Sequence, residues 1–338
     1  MMSDPCLPTP QDHHAIIVLG MHRSGTSAMA GVLACAGVDF GQHLYPAQAN
    51  VNDKGFFEHG PIVDCHDELL LELASSWDDP RPLPTGWTER ASIPHYRQRL
   101  TKIIRGDFHA APLWGLKDPR ICRLLPLWHA ILADMGVHSH YVIVVRHPLE
   151  VAASLARRNG ISRDKSLLLW WQHQTQAEAQ TREQPRIFVR YDELLSNPEH
   201  LLRRLGEAFA LRWPRGNDEA RAEISNFLTP ALRHHQDLPF LNRSPIETAV
   251  ADAYRDFYRA AQHDQSGVDR TLASHAEALS SYIEELNPVL TEHLAAVAEK
   301  SRSADLALKR YYGCYAVKIA KRLCLLEQRI ASVFRPSA

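Results

Sequence analysis

Glycines at positions 20 and 25 bracket Arg23 and Ser24, and Thr26 and Ser27 follow at once. The spacing is that of a nucleoside-triphosphate P-loop with Thr26 in the place of its lysine. Such a loop turns backbone N–H groups onto an anion at a helix N-terminus, where the macrodipole adds attraction. Arg23 is the cation within reach, and the hydroxyls of Ser24, Thr26 and Ser27 add donors without charge. A second group is Arg146, Ser154 and Arg158; its last two members are four residues apart, so they share one helix face and make a second anion site. Lys117 stands in the compact run Lys117-Asp118-Pro119-Arg120. Glu58 follows two aromatics, Phe56 and Phe57, in a Gly- and Asn-bounded loop, which suggests a wall and an acid at the mouth of a cleft.

The elements that must carry these residues are legible. His14 to Leu19 is a short apolar run rich in Ile and Val, the pattern of a buried parallel strand, and a helix without breakers follows from Thr26 to Cys35. Residues 61 to 73 read as a helix, whereas Ser75 to Pro94 is polar, bears Pro and Trp, and reads as a substrate-shaping insertion. Leu113 to Lys117 is a strand that Pro119 stops, and Leu124 to Met135 is the crossover helix. His140 to Val145 is the strongest strand signal; Arg146 ends it and Pro148 opens the next helix. Leu167 to Trp171 belongs to an amphipathic helix, and Arg186 to Arg190 is a strand that delivers Tyr191 at its end. Alternating β and α units predict an α/β fold, a P-loop-like parallel sheet flanked by helices. In open sheets of this kind ligands gather at the carboxyl ends of the strands, so Arg23, Lys117, Arg146 and Tyr191 are expected on one rim.

Composition narrows the partners. With 38 Lys and Arg against 39 Asp and Glu, the net charge is −1, so no nucleic-acid partner is expected and any anion site is local. The six cysteines form no C-x-x-C pair and no regular spacing, which argues against a disulfide framework or a zinc site and fits a reducing compartment. Residues 1 to 12 lack the basic and apolar regions of a signal peptide, and no segment reaches the roughly 20 apolar residues of a membrane span, so a cytoplasmic protein is expected.

Taken together, Gly20-x-x-Arg23-Ser24-Gly25-Thr26-Ser27 resembles the 5′-phosphosulfate-binding loop of sulfotransferases that use 3′-phosphoadenosine 5′-phosphosulfate (PAPS). Arg146 with Ser154 eight residues later resembles their 3′-phosphate motif. The pattern is most similar to protein-tyrosine sulfotransferases and to bacterial sulfotransferases acting on saccharides or lipids, which also place Arg in the first loop. The resemblance covers about residues 14 to 210 and implies further roles. Lys117 would serve the sulfuryl group, Arg158 and Tyr191 would join the donor site, and 3′-phosphoadenosine 5′-phosphate (PAP) would be the product, with no metal needed. Tyrosine sulfotransferases carry a glutamate downstream of the loop arginine, and cytosolic ones a histidine further on. Neither spacing is reproduced here, and Glu58 is taken as the base, with His59, His22 and Asp39 as alternatives.

The expected function is sulfuryl transfer from PAPS to a hydroxyl of a saccharide, glycolipid or related acceptor. A P-loop nucleotide or small-molecule kinase accounts for the first loop alone, and a non-catalytic nucleotide-binding module does not account for Lys117. The expected domain spans residues 13–246, followed by a helical C-terminal extension over 247–338. Thr229 to Gln236, with Arg233 and His234, reads as a loop able to fold over the cleft or as an ordinary connection. Residues 303–333 form a basic amphipathic stretch, suited to peripheral contact with the inner face of a membrane or to packing on the protein itself.

Overall fold

A computed structural model describes residues 13–46, 55–228, 239–241, 244–262 and 270–286. Four strands, β1 (His14–Leu19), β2 (Leu113–Lys117), β3 (His138–Val145) and β4 (Arg186–Arg190), form one sheet in the order β2-β1-β3-β4, all pairs parallel. The expected strands are therefore present, β3 starting two residues earlier than read. Between β1 and β2 run α1 (Thr26–Cys35), α2 (Gly60–Glu72) and α3 (Ile93–Asp107), and α4 (Ile121–Asp134) crosses to β3. Helices α5 (Pro148–Asn159) and α6 (Arg163–Thr181) lead to β4, which is followed by α7 (Tyr191–Ser196), α8 (Pro198–Phe209), α9 (Asn217–Phe227) and α10 (Pro245–Ala260).

Both faces of the strands are apolar because helices cover both. Ile16, Val18, Val142, Val144, Ile187 and Val189 pack with α1, α8 and α9 in one cluster that includes Met29, Leu33, Leu201, Leu205 and Ile224. On the opposite side Phe188 meets Phe257 of α10 at 5.8 Å between ring centroids, and Phe257 meets Trp170 of α6 at 6.1 Å.

Register sets the rim. Val18 lies opposite Lys117 and Val142, and Val145 lies opposite Arg190, so the chain leaves β1, β2, β3 and β4 at one edge of the sheet. The chain steps from β1 to one neighbour, β2, and then crosses to the other, β3. This reversal opens a crevice beyond the end of β1, where the Gly20–Gly25 loop sits.

Helix α3 was not read from the sequence, although Tyr96, Leu100 and Ile104, its buried side chains, recur at helical spacing. Within the segment read as an insertion, a single 3-10 turn forms at Trp87–Glu89. The segment is tied down from beneath: Arg123 Nη2 donates to the Arg81 carbonyl at 2.8 Å and Gln172 Nε2 to that of Pro80 at 2.8 Å.

By packing, the chain divides into two compact units, residues 1–279 and 280–338. Helix α10 belongs to the first unit, held by the 2.6 Å Arg163–Glu247 ion pair and a 3.0 Å bond from Arg190 Nη1 to Tyr258 Oη. In the second unit, residues 280–286 are helical. The stretch 303–333 and the loop from Thr229 to Gln236 lie outside the described residues. Among the described residues no helix is long and apolar enough to cross a membrane.

Candidate active site

The loop after β1 depends on backbone conformations that few residues adopt. Gly20 has φ +138° and passes so close to β3 that a Cβ there would stand 3.0 Å from the Val144 carbonyl oxygen. Gly25, at φ +93°, is the N-cap of α1 and brings no side-chain cap to the first-turn amides, which in any helix have no intrahelical acceptor. Arg23 itself sits at φ +69°, a left-handed conformation that costs an L-residue about 1–3 kcal/mol and is found mainly at functional turns.

Arg23 joins the two anion motifs. Its Nε–H donates to Ser154 Oγ at 2.8 Å, and its carbonyl accepts from Arg146 Nη1 at 3.0 Å. Arg146 is held in turn by Glu150 Oε2, which accepts from Nε at 2.9 Å, and by Trp170, whose Nε1–H donates to the Arg146 carbonyl at 3.1 Å. The Arg146 guanidinium lies 4.3 Å from the Tyr191 ring centroid, and that ring covers Gly25 so closely that a Cβ there would approach it to 2.2 Å. Arg158, exposed on α5, stands 5.7 Å from the Phe56 ring. Burial, followed by the charges of Arg158 and Arg146, pushes the Arg23 guanidinium below its ordinary pKa. Cations gathered in this way raise the potential for an incoming anion.

Lys117, at the end of β2, donates from Nζ to Glu58 Oε1 at 2.5 Å, and both side chains are buried. Glu58 reaches Lys117 through the Gly55–Glu58 turn, where Gly55 has φ +91° and Phe57 φ +54°. Ser27 Oγ donates to the Phe56 carbonyl at 3.3 Å and so ties this turn to the first turn of α1. Next to Lys117, Asp118 Oδ2 accepts from His66 Nδ1 at 2.7 Å. Because Trp128 Nε1–H, a donor only, lies 2.9 Å from His66 Nε2, that nitrogen is the acceptor and the proton sits on Nδ1. Burial opposes the Asp118 charge, but Arg120 and the His66 bond outweigh it and hold the carboxyl well below the usual range.

The structure separates the alternatives for a base. Asp39 is exposed, accepts from the Gly41 amide at 2.8 Å, and bridges to Trp114 near the start of β2. At a strand rise of about 3.3 Å per residue it is roughly 10 Å from the rim. His59 Nε2 turns away from Lys117 to Asp107 Oδ2, 2.6 Å distant. His22 stays at the loop with its ring 4.5 Å from that of Trp77, and burial, then the Arg120 and Lys117 charges, push it well below the histidine range.

A profile described as the sulfotransferase family matches residues 15–215. The chain belongs to the sulfotransferase family. Its reaction class is therefore transfer of a sulfuryl group. Two solved structures are similar: a sulfotransferase domain from the curacin biosynthetic pathway, at 14% identity and TM-score 0.40 over 78% of this chain and 98% of that one. The other is a sulfotransferase domain from the Synechococcus PCC 7002 olefin synthase, at 17% identity and TM-score 0.38 over 79% and 96%. No curated protein matches the sequence.

In this sulfotransferase three rim residues escaped sequence reasoning. Glu150 braces Arg146 from four residues on, a spacing visible once Pro148 is taken as the helix start. Cys122 Sγ accepts from the Gly20 amide at 3.3 Å, and Trp77 covers His22; neither contact leaves a trace in local spacing.

Proposed function

We propose that this sulfotransferase draws its sulfuryl group from PAPS and passes it to a hydroxyl of a saccharide, glycolipid or related acceptor. The observation that carries the reading is Arg23 bonded to Ser154 while its carbonyl takes the Arg146 guanidinium, one rim with two cationic ends. The residues suit such a donor. Uncapped amides open α1, the shielded Ser24 Oγ has no partner among the described residues, and Arg146 follows β3 while Ser154 and Arg158 lie on α5. PAPS, when bound, supplies a sulfuryl group on a phosphate leaving group.

Arg23 and the hydroxyls of Ser24, Thr26 and Ser27 would hold the 5′ end, and Arg146, Ser154, Arg158 and Tyr191 the 3′-phosphate. Charge that develops toward the leaving oxygen is then met by fixed donors, which favours the transition state over the ground state. The Lys117 ammonium, bonded to Glu58 Oε1, would also reach sulfuryl oxygens. Glu58 would take the acceptor hydroxyl's proton on its carboxylate oxygen, a contribution of about 10²–10⁴-fold. The half-buried Trp77 indole offers a flat apolar face against which a sugar ring can pack, which favours a saccharide-bearing acceptor.

Thermal shift with PAP, with ATP, and with ATP plus magnesium tests the donor. PAP at about 100 times its Kd should stabilise the protein by about 2.7 kcal/mol, and stabilisation by magnesium-ATP alone would turn the reading to a kinase. Arg146→Ala should weaken PAP in calorimetry; unchanged affinity removes Arg146 from the donor site. Incubation with labelled PAPS and a panel of saccharides, glycolipids and tyrosine peptides tests the acceptor, and labelling confined to the peptides refutes it.

A further inference from the structure

Beyond the rim, one cluster of side chains has a donor set of its own. His43 Nδ1 and His59 Nε2 each lie 2.6 Å from Asp107 Oδ2, and the three ligand-type atoms fall within 4.8 Å of one another. We propose that His43, His59 and Asp107 form a binding site for a divalent transition-metal ion of the zinc type, separate from the sulfuryl-transfer residues.

The fold brings three segments together to build it. The His43 and His59 segments are bridged antiparallel: the Gly60 amide donates to the His43 carbonyl at 2.8 Å and the Tyr45 amide to that of Glu58 at 2.9 Å. Asp107 is the last residue of α3, where the partial negative charge of the helix terminus adds attraction for a cation. The His59 imidazole is 2% exposed and packed beside Phe108 at 5.9 Å, so it is a fixed ligand. The His43 side chain is 63% exposed, which leaves an entry path and an open position for water.

Donor chemistry selects the ion. Two imidazoles and one carboxylate suit zinc and its first-row neighbours, whereas calcium and magnesium take oxygen ligands. Zinc bonds of about 2.0–2.2 Å in tetrahedral arrangement put ligand atoms about 3.3 Å apart. The 2.6 Å separations need to open by less than about 1 Å, a movement available to the exposed His43 and the helix-terminal Asp107. The Asp107 carboxylate only accepts, so His43 Nδ1 and His59 Nε2 carry the protons that face it; an incoming ion takes those nitrogens' lone pairs, and each displaced proton passes to the other ring nitrogen or to solvent. His59 Nδ1 has no partner among the described residues, so the outer bond that strengthens metal sites is missing and affinity should be below that of a closed four-ligand site. An ion here would tie residues 41–46 to α3 and fix the turn that carries Glu58.

Metal binding is measured directly, so the test stands apart from the sulfotransferase reaction. Metal-free full-length protein is titrated with Zn²⁺ by calorimetry and with Co²⁺ by visible absorption. One equivalent with a tetrahedral-type d–d band is expected. His43→Ala, at an exposed position, and Asp107→Asn should each weaken binding by more than about tenfold, while the exposed His95→Ala leaves it unchanged. Absence of stoichiometric binding overturns the proposal, as does binding that survives both His43→Ala and Asp107→Asn.

Discussion

Lys117 and Glu58 illustrate how a single pair can serve stability and chemistry together. Both side chains are at most one-tenth exposed, and each is the other's counter-charge. Lys117→Met leaves a buried carboxylate without its partner and is expected to destabilise the protein by about 3–5 kcal/mol in urea titration. A loss below about 1 kcal/mol would mean that Glu58 relaxes into water. Glu58→Gln keeps an acceptor for the ammonium, so the fold and PAP affinity should persist while kcat falls by about 10²–10⁴-fold. Retention of kcat in Glu58→Gln would exclude Glu58 as the base. At the same scale, Glu150 and Trp170 show that Arg146 is aimed by neighbours, one at its guanidinium and one at its carbonyl.

Among elements, the junction of the β1–α1 loop with α7 decides whether the rim forms. Tyr191 opens α7 directly after β4, and its ring fills the space above Gly25 while Arg146 lies over it. Gly25→Ala therefore meets two separate penalties, a left-handed φ of +93° and a methyl group 2.2 Å from the Tyr191 ring. The backbone alone should cost about 1–3 kcal/mol, and PAP binding should fall with it. Tyr191→Ala carries its own cost as a buried ring but removes the clash, so Gly25→Ala should cost less stability in the Tyr191→Ala background than in the parent protein. If the two substitutions simply add, ring and loop are not in contact.

For the whole molecule, acid stability follows from histidines buried in neutral form. Burial and the neighbouring His14 and His138 push His140 down to about 4, and burial with the Arg123 charge pushes His173 down to about 3. An unfolded histidine titrates near 6.5, so below that pH the unfolded chain binds protons that the folded chain refuses. Stability is thus fully present above about pH 6.5 and falls on acidification by about 1.4 kcal/mol per pH unit for each group. Between about pH 7 and pH 5 His140 alone should account for a loss of about 2 kcal/mol. Urea curves at both pH values check this, since His140→Gln should lose less on acidification than the parent protein. An equal loss in the variant would assign the acid sensitivity elsewhere. Asp118, whose carboxyl is held low, acts only at more acid pH.

The sequence by itself determined the strands, the parallel sheet, the loop at Gly20–Gly25 and the positions of Arg23, Lys117, Arg146 and Tyr191 at strand ends. These are properties of short windows: apolar runs buried on both faces, glycines where φ is positive, prolines at helix starts. Helix α3 was equally local, since Tyr96, Leu100 and Ile104 carry its period; the polar residues between them masked it. The tertiary structure alone decided that Arg23 bonds Ser154, that Lys117 meets Glu58 rather than Asp39, and that His59 turns to Asp107. It also decided that α10 packs with the sheet, against Trp170 and Phe188. Partners such as Arg23 and Ser154 stand 131 residues apart, and no window of sequence holds both. Their meeting is fixed by strand order and register, the point at which packing of the whole chain replaces local preference.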